Sequence, residues 1–173
     1  MELRDNELLL RPWNEGDIPA LARACDDSDT ARFIPHIPSP YTEDDARTWI
    51  GFCRDFWQTG DRLPFAIVHA ENAELLGSID VRLGEVGSIG YWVAPWAREQ
   101  GIATAALVLV SRWAIRERGV ERLELTTHPE NIASQRVAEK AGFVREGMLR
   151  SHIRFCEGRR DSVLFSLLPG DLV

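Results

Sequence analysis

The spacing of the apolar residues changes twice along the chain, and this change restricts the folds that the chain can adopt. Helical spacing comes first, short β-rich runs occupy the middle, and helical spacing returns at Gly101. The pattern predicts helices over residues 18–25, 43–60, 101–119 and 131–141. It predicts strands over residues 8–11, 65–68, 75–81, 89–93, 123–126, 143–149, 152–156 and 162–168. Three prolines between Phe33 and Tyr41 predict a loop. This order of elements indicates a mixed α+β fold, and the short strands in the middle indicate an antiparallel meander.

Length and charge limit the domain count and the partners. The chain has 173 residues without an evident linker or repeat, which predicts a single domain over residues 1–173. Its 20 Lys and Arg and 27 Asp and Glu give a net charge of −7. Because a surface that binds nucleic acid is normally basic, we predict no nucleic-acid partner. An acidic surface favours cationic partners instead, such as amines or basic polypeptides.

The termini, cysteines and histidines bear on location and cofactors. No apolar stretch approaches the roughly 18 residues of a membrane span, and the N-terminus mixes charges, which predicts a cytoplasmic protein without membrane contact. Cys25, Cys53 and Cys156 contain no C-x-x-C pair and are interpreted as reduced core or surface residues rather than nucleophiles. None of the 4 histidines has the spacing of metal ligands, so we predict no metal.

The residues from Ile89 to Thr104 are the most informative stretch for function. They leave a strand, pass through a loop with Pro95 and enter a long helix at a glycine. Backbone N–H groups at such a helix start suit a pyrophosphate, and Arg98 adds a positive charge. The alternative is that Gly101 only permits a tight turn before a core helix, and the spacing alone leaves both interpretations open.

Several segments of the sequence resemble one enzyme family. Residues 98–103, Arg-Glu-Gln-Gly-Ile-Ala, resemble the acyl-CoA-binding signature Gln/Arg-x-x-Gly-x-Gly/Ala of the GNAT N-acetyltransferase superfamily. The strand at 89–93 is similar to the family's fourth strand. Residues 10–13, 128–131 and 139–143 are similar to the RimJ/RimL-like branch. The resemblance covers essentially the whole chain.

The resemblance implies a mixed, mostly antiparallel sheet flanked by helices, with splayed central strands, and a cofactor site between those strands. The family's fourth and fifth strands splay apart, here near Trp92 to Ala94 and Thr126 to Thr127, and the pantetheine arm of acetyl-CoA lies in the gap. The N–H of Val93 would then stabilise the oxyanion. The family's pyrophosphate loop and first helical turn match Arg98, Glu99, Gln100, Gly101, Ile102, Ala103 and Thr104. No metal is implied.

Two residues of the following helix match family positions beside the pantetheine arm. Asn131 corresponds to the residue that hydrogen-bonds this arm, although an Asn there also suits an N-cap, and both roles can hold at once. Ser134 corresponds to the residue near the sulfur, where a hydroxyl would assist the leaving thiolate. Without the motif it would be an ordinary polar residue of a first helical turn. Arg136 and Lys140 could reach the ribose phosphate, or form a solvated face.

The general base is the least defined part of the prediction. Many relatives carry Glu at the positions of Ser88 and Ala105, and this sequence does not. Glu85, Asp80 and His36 are the remaining candidates, the carboxylates acting through water, and each also fits an ordinary turn, strand or loop residue. An acceptor α-amine, with a pKa near ~8, would need no dedicated base.

The resemblance implies direct transfer of an acetyl group from acetyl-CoA to a primary amine, with a protein N-terminal amine as the acceptor of this branch. The alternatives are a small cationic amine, such as an aminoglycoside or polyamine, and a non-catalytic acyl-CoA-binding module. We expect the residues between Phe33 and Tyr41, the helix with Trp49, and Tyr91, Trp92 and Trp96 to set acceptor choice. Trp49, Phe56 and Trp57 share a helical stripe that also fits a core. A homodimer is implied only by family habit.

Overall fold

A computed structural model describes residues 1–35 and 37–172. Its strands are β1 Leu3–Asp5, β2 Leu8–Pro12, β3 Arg62–His69, β4 Leu75–Arg82, β5 Gly87–Val93, β6 Leu123–Thr127, β7 Val144–Phe155 and β8 Gly158–Leu167. Its helices are α1 Ile18–Cys25, α2 Ser28–Phe33, α3 Glu43–Thr59, α4 Ile102–Arg118 and α5 Ile132–Lys140. Among these helices, none is both long and apolar enough to pass through a membrane.

The strands form one sheet in the order β1-β2-β3-β4-β5-β6-β8-β7. All neighbours pair antiparallel except β5 and β6, which run parallel. That parallel pairing spans only Gly87 to Ile89 of β5 and ends at Leu125 of β6. The mixed fold with a mostly antiparallel sheet and separated central strands is therefore confirmed. The single domain stays a prediction.

Helices cover both faces of the sheet because side chains alternate along the strands. Phe65 and Ile67 of β3 pack with α4, whose Leu107, Val110 and Trp113 are buried in the same core. Ala66 and Val68, which point the other way, pack with apolar residues of α1 and α3. On β4, Ile79 and Val81 belong to the α4 side. Asp80 therefore lies on the face of α1 and α3.

The main helix boundaries follow the predicted caps. The side chain of Thr42 accepts a hydrogen bond from the Asp45 N–H, and the Asp45 carboxylate accepts one from the Thr42 N–H, which forms a capping box at the start of α3. The same helix ends at Gly60, whose φ of 77° is left-handed. These local signals made the position of α3 predictable.

Three elements differ from the sequence prediction. The strand β1 and the helix α2 were not expected, because three and six residues respectively are too short to show a clear apolar period. The helix α2 begins instead at an Asp27 cap that accepts from the Thr30 N–H. Residues 143–149 and 152–156 were predicted as two strands, whereas β7 is one strand with register shifts against β8.

Candidate active site

A cavity of about 1230 Å³ opens beside the separated ends of β5 and β6 and reaches both faces of the sheet. On the side of α4 and α5, its lining includes Gly101, Asn131 and Ser134. On the side of α1 and α3, it includes Trp49 and Asp80. A molecule that lies in this gap would therefore contact groups from both faces.

The backbone of β5 directs two N–H groups into the gap. The Ala94 N–H donates to the Leu76 carbonyl of β4 at 2.9 Å, and alternate residues of an antiparallel strand face the same neighbour. Tyr91 and Val93 therefore point their N–H groups away from β4, towards β6. Because the ladder with β6 ends at Ile89, both groups lie outside the strand pairing. This is the environment that the predicted oxyanion donor Val93 requires.

Gly77 allows β4 to approach this end of β5 closely. A Cβ atom at Gly77 would lie 2.3 Å from the Trp92 carbonyl oxygen, a distance that no side chain tolerates. A glycine here therefore fixes the path of the strand that carries Trp92 and Val93. No sequence motif marks this requirement, because it arises from the pairing of Gly77 with Val93.

The start of α4 presents free backbone amides to the cavity. Gly101 precedes the helix with a φ of 79° and provides no side-chain cap. The first helical hydrogen bond runs from the Ala105 N–H to the Gly101 carbonyl, so the N–H groups of Ile102, Ala103 and Thr104 lie at the open helix end. All three residues line the cavity, as does Gly101. The helix dipole adds to their attraction for an anion.

Arg98 lines the cavity and is paired with acidic residues at the start of α2. Its guanidinium binds the Asp27 carboxylate of α2, and also approaches the Thr30 hydroxyl at 3.0 Å and Asp29 at 3.5 Å. Its charge is thus already paired with acidic residues, although the side chain lines the cavity. The ion pair ties the loop before α4 to α2. A role for Arg98 beside a pyrophosphate stays a prediction.

Of the remaining loop residues, one faces the cavity and one does not. Glu99 lines the cavity and has a left-handed φ of 63°. Gln100 does not line it, and its side-chain amide donates to the Trp96 carbonyl at 3.0 Å. On the opposite wall, Arg136 and Lys140 of α5 line the cavity and form no ion pair with a described residue. They are the cations available to a phosphate on this side.

Asn131 and Ser134 lie together at the start of α5. The Asn131 side-chain oxygen accepts a hydrogen bond from the Ser134 N–H at 3.0 Å, so the N-cap interpretation is confirmed. The Ser134 hydroxyl lies 2.9 Å from the Tyr91 hydroxyl. Burial, partly offset by the contact with Ser134, raises the pKa of Tyr91 to about 12. The phenol therefore stays protonated at physiological pH.

The other end of the cavity contains a carboxylate bound by an arginine. Arg62 of β3 holds one oxygen of Asp80 at 2.6 Å, and its guanidinium lies over the Phe56 and Trp49 rings. The Oδ1 atom of Asp80 has no hydrogen-bond partner among the described residues. Since an ionised carboxylate has about four acceptor sites, Asp80 keeps spare capacity for a donor.

Glu85 does not belong to this site. It lies in the exposed turn before β5, whereas the cavity contacts the opposite end of that strand, and it is absent from the lining. A turn carboxylate and a strand carboxylate a few residues apart look alike in sequence, and the strand register separates them. His36, the third candidate base, lies outside the described residues.

The aromatic residues divide between the cavity and the core. Phe33, Tyr41, Trp49, Tyr91 and Trp92 line the cavity. Trp96, which was also expected there, does not, because its indole N–H donates to the Leu75 carbonyl at 2.8 Å. On the α3 stripe, Trp57 packs edge-on against Phe65 of the core.

Comparison with known proteins identifies the family. Residues 7–144 match the family described as "Acetyltransferase (GNAT) domain". The chain belongs to the GNAT acetyltransferase family. It is 28% identical over 156 residues to "Uncharacterized N-acetyltransferase YnaD" of Bacillus subtilis strain 168, a match that covers 88% of each chain.

Solved GNAT structures share the fold. Mycobacterium smegmatis RimJ in complex with CoA-disulfide has a TM-score of 0.87 and 26% identity, over 99% of this chain and 88% of that one. RimL, named as a ribosomal L7/L12 alpha-N-protein acetyltransferase in complex with coenzyme A, has a TM-score of 0.87 and 18% identity, over 97% and 98% of the two chains. The resemblance to this branch, stated from the sequence, is confirmed.

The GNAT site contains a thiol with low intrinsic reactivity. Cys25 lines the cavity, but burial raises its pKa to about 12, as it does for Cys53. Only a minute fraction of either residue is therefore a thiolate at neutral pH.

Over residues 1–35 and 37–172, no group of three His, Cys, Asp or Glu side chains could hold a metal ion, and the lack of a metal stays a prediction.

Sequence analysis missed several residues of the site. Asp27 and Thr30 were overlooked because α2 was not predicted, although Asp27 two residues after Cys25 is a recognisable N-cap. Arg62 was overlooked because a single cation at the start of a strand has no distinctive pattern. Tyr91 was named only as a pocket aromatic, since its hydrogen bond to Ser134 joins residues 43 positions apart.

Proposed function

We propose that this GNAT protein transfers an acetyl group from acetyl-CoA directly to a primary amine, with the α-amine of a protein N-terminus as acceptor. One observation carries the proposal. A single cavity connects the open start of α4, the N–H of Val93 facing the strand gap, and the carboxylate of Asp80. Those three groups correspond to a diphosphate site, an oxyanion donor and an amine site.

The donor would occupy the side of α4 and α5. The amides of Ile102, Ala103 and Thr104 would bind the pyrophosphate, with Arg136 and Lys140 on the opposite wall. Pantetheine would extend along the unpaired edge of β5, where backbone groups of Tyr91 and Val93 lack strand partners. The amide nitrogen of Asn131, whose oxygen is used in the cap, remains for this arm. CoA in the RimJ and RimL structures supports this donor.

The chemical step needs no covalent enzyme intermediate. The neutral amine forms a bond to the thioester carbonyl carbon, and the Val93 N–H stabilises the oxyanion that develops. When the carbonyl reforms, the C–S bond breaks and the amine nitrogen loses a proton to water in the cavity. The departing thiolate receives a hydrogen bond from the Ser134 hydroxyl and then a proton from solvent.

The acceptor would occupy the side of α1 and α3, where Asp80 can bind its ammonium form. Glu85 is outside the cavity, and the family's glutamate positions hold Ser88 and Ala105. A site without a dedicated base suits an acceptor amine that loses its proton easily. An α-amine, with a pKa of about 8, loses its proton more readily than a lysine side chain, with a pKa of about 10.4. The name of RimL, an alpha-N-protein acetyltransferase, supports the same class of acceptor amine.

A cytoplasmic location belongs to this proposal, since the cysteines form no disulfide.

Release of free thiol tests the proposal. The protein is incubated with acetyl-CoA and a panel of peptides with free N-termini, matched peptides blocked at the N-terminus but containing lysine, an aminoglycoside and a polyamine. Release only with free N-termini supports the proposal. Release only with the small amines would move the function to that class. CoA binding without release from any amine would support the non-catalytic module instead.

A further inference from the structure

The hydroxyl of Tyr91 bridges the two sides of the strand gap. It lies 2.9 Å from the Ser134 hydroxyl and 3.2 Å from the Ser134 carbonyl oxygen. Tyr91 belongs to β5 and Ser134 to the first turn of α5, and both line the cavity. The contact therefore joins the strand that carries the oxyanion donor to the helix that carries the thiol-assisting serine.

Tyr91 contacts both the backbone and the side chain of Ser134. The Ser134 carbonyl can only accept, so the phenol donates in the 3.2 Å contact. In the 2.9 Å contact either hydroxyl can donate. One group on β5 therefore holds both the carbonyl and the hydroxyl of Ser134.

We propose that Tyr91 is a positioning residue that acts through Ser134: by binding both the carbonyl and the hydroxyl of this serine, it holds the hydroxyl where the departing sulfur of CoA would lie. This inference rests on the proposed function, in which the sulfur lies beside Ser134. The phenol forms no bond to the substrate and transfers no proton. Its contribution is to hold the serine hydroxyl at a fixed place in the cavity wall.

A direct proton transfer from Tyr91 is the main alternative, and its acidity opposes it. Burial raises the pKa of Tyr91 to about 12. A thiol has a pKa near ~8.5, so transfer of a proton from this phenol to a thiolate is strongly unfavourable. A hydrogen bond that orients Ser134 needs no such transfer.

The test is a double-mutant cycle with acetyl-CoA and the best peptide acceptor. Tyr91→Phe removes the hydroxyl and keeps the ring, and it should lower kcat about three- to tenfold with little change in KM for acetyl-CoA, as expected for one neutral hydrogen bond. Ser134→Ala should lower kcat at least as much. The double variant should be no slower than Ser134→Ala, because Tyr91 acts only through the serine.

Tyr41→Phe is the matched comparison, since it removes the only other tyrosine hydroxyl, also within the cavity. The fold-change in kcat caused by Tyr41→Phe should be the same with and without Ser134→Ala, so that the two effects multiply in the double variant. Melting temperatures and CoA binding confirm that each variant is folded. If the effects of Tyr91→Phe and Ser134→Ala multiply, or if Tyr91→Phe changes only KM, the inference is overturned while the proposed function stands. Absence of transfer by the wild-type chain would overturn both.

Discussion

Arg98 and Asp27 form an ion pair that joins the loop before α4 to the start of α2. The same arginine nitrogen that binds Asp27 lies 3.0 Å from the Thr30 hydroxyl. Partial burial acts to raise the pKa of Asp27, but hydrogen bonds from Arg98 and Thr30 outweigh it, so the pKa is lowered. The loop that would bind the diphosphate is thus held by a charged contact from a distant helix.

Asp27→Asn should lower the melting temperature at neutral pH. An asparagine still caps α2, so the change removes the charge and little else. A partly exposed ion pair contributes about 1 kcal/mol or less, which for a chain of this size corresponds to about 2–4 °C at most. Because the folded pKa lies below the unfolded value of about 3.9, this stability is present above that value and is lost as the pH falls through the lowered folded pKa.

Thermal unfolding from neutral pH into the acid range measures this dependence. The difference between wild type and Asp27→Asn should shrink as the pH falls. Asp29→Asn is the matched control, since it removes the same charge from the same helix but from a contact of 3.5 Å, with 73% of its side chain exposed. It should have little effect. A difference for Asp27→Asn that stays constant into acid would show that its charge is not responsible.

Local sequence patterns predicted the start of α4 and, through the family resemblance, the gap in the sheet. The start of α4 depends on Gly101 and its immediate neighbours, and the gap in the sheet follows from the family resemblance carried by the adjacent motif. The Arg98 contact could not be predicted in the same way, because its partner Asp27 is 71 residues away in a helix without an apolar stripe. Sequence patterns report local conformation, whereas ion pairs of this kind depend on the assembled fold.

The candidate bases illustrate the same limit. Glu85 and Asp80 are five positions apart, and both are acidic residues of one hairpin. Whether each carboxylate lies in the cavity depends on where β4 ends and on which side chains of β4 point to the face of the sheet covered by α3. Those properties follow from the pairing of Asp80 with Gly90, which no local pattern of the two carboxylates expresses.

Gly101→Ala should weaken CoA binding. Its φ of 79° is left-handed, so alanine is expected to cost about 1–2 kcal/mol of conformational energy and to shift the amides that would bind the diphosphate. We expect the Kd for CoA to rise about tenfold or more, as measured by calorimetry. Gly119→Ala is the matched control, because Gly119 has a φ of 68° at the other end of α4 and lies outside the cavity lining. Equal loss of CoA affinity in both variants would show that Gly101 has no specific role in binding CoA.

Asp80→Asn should weaken the acceptor and not the donor. Loss of a charge-assisted contact to an ammonium group should raise KM for a peptide acceptor about tenfold or more and leave KM for acetyl-CoA nearly unchanged. Initial rates at varied peptide and at varied acetyl-CoA separate the two. Because Arg62 loses its partner in this variant, melting temperature and CoA binding are measured alongside.

Glu85→Gln is the matched control for Asp80, since it removes the same charge from the same hairpin at an exposed position outside the cavity lining. Its two KM values should equal those of the wild type. If both variants raise KM for the peptide equally, long-range charge rather than contact explains the effect, and Asp80 is not the amine site.

The reactivity of the thiols distinguishes direct transfer from an acetylated enzyme. Cys156 is exposed, whereas Cys25 and Cys53 are buried and their pKa is raised to about 12. A thiol reagent at pH near ~8 should therefore label Cys156 quickly in the folded protein and all three cysteines only after denaturation. The Cys25→Ser variant should still transfer the acetyl group, because no step of the proposed reaction uses the Cys25 sulfur. Rapid labelling of Cys25 in the folded protein, or an acetyl group found on it by mass spectrometry after exposure to acetyl-CoA alone, would require a covalent intermediate.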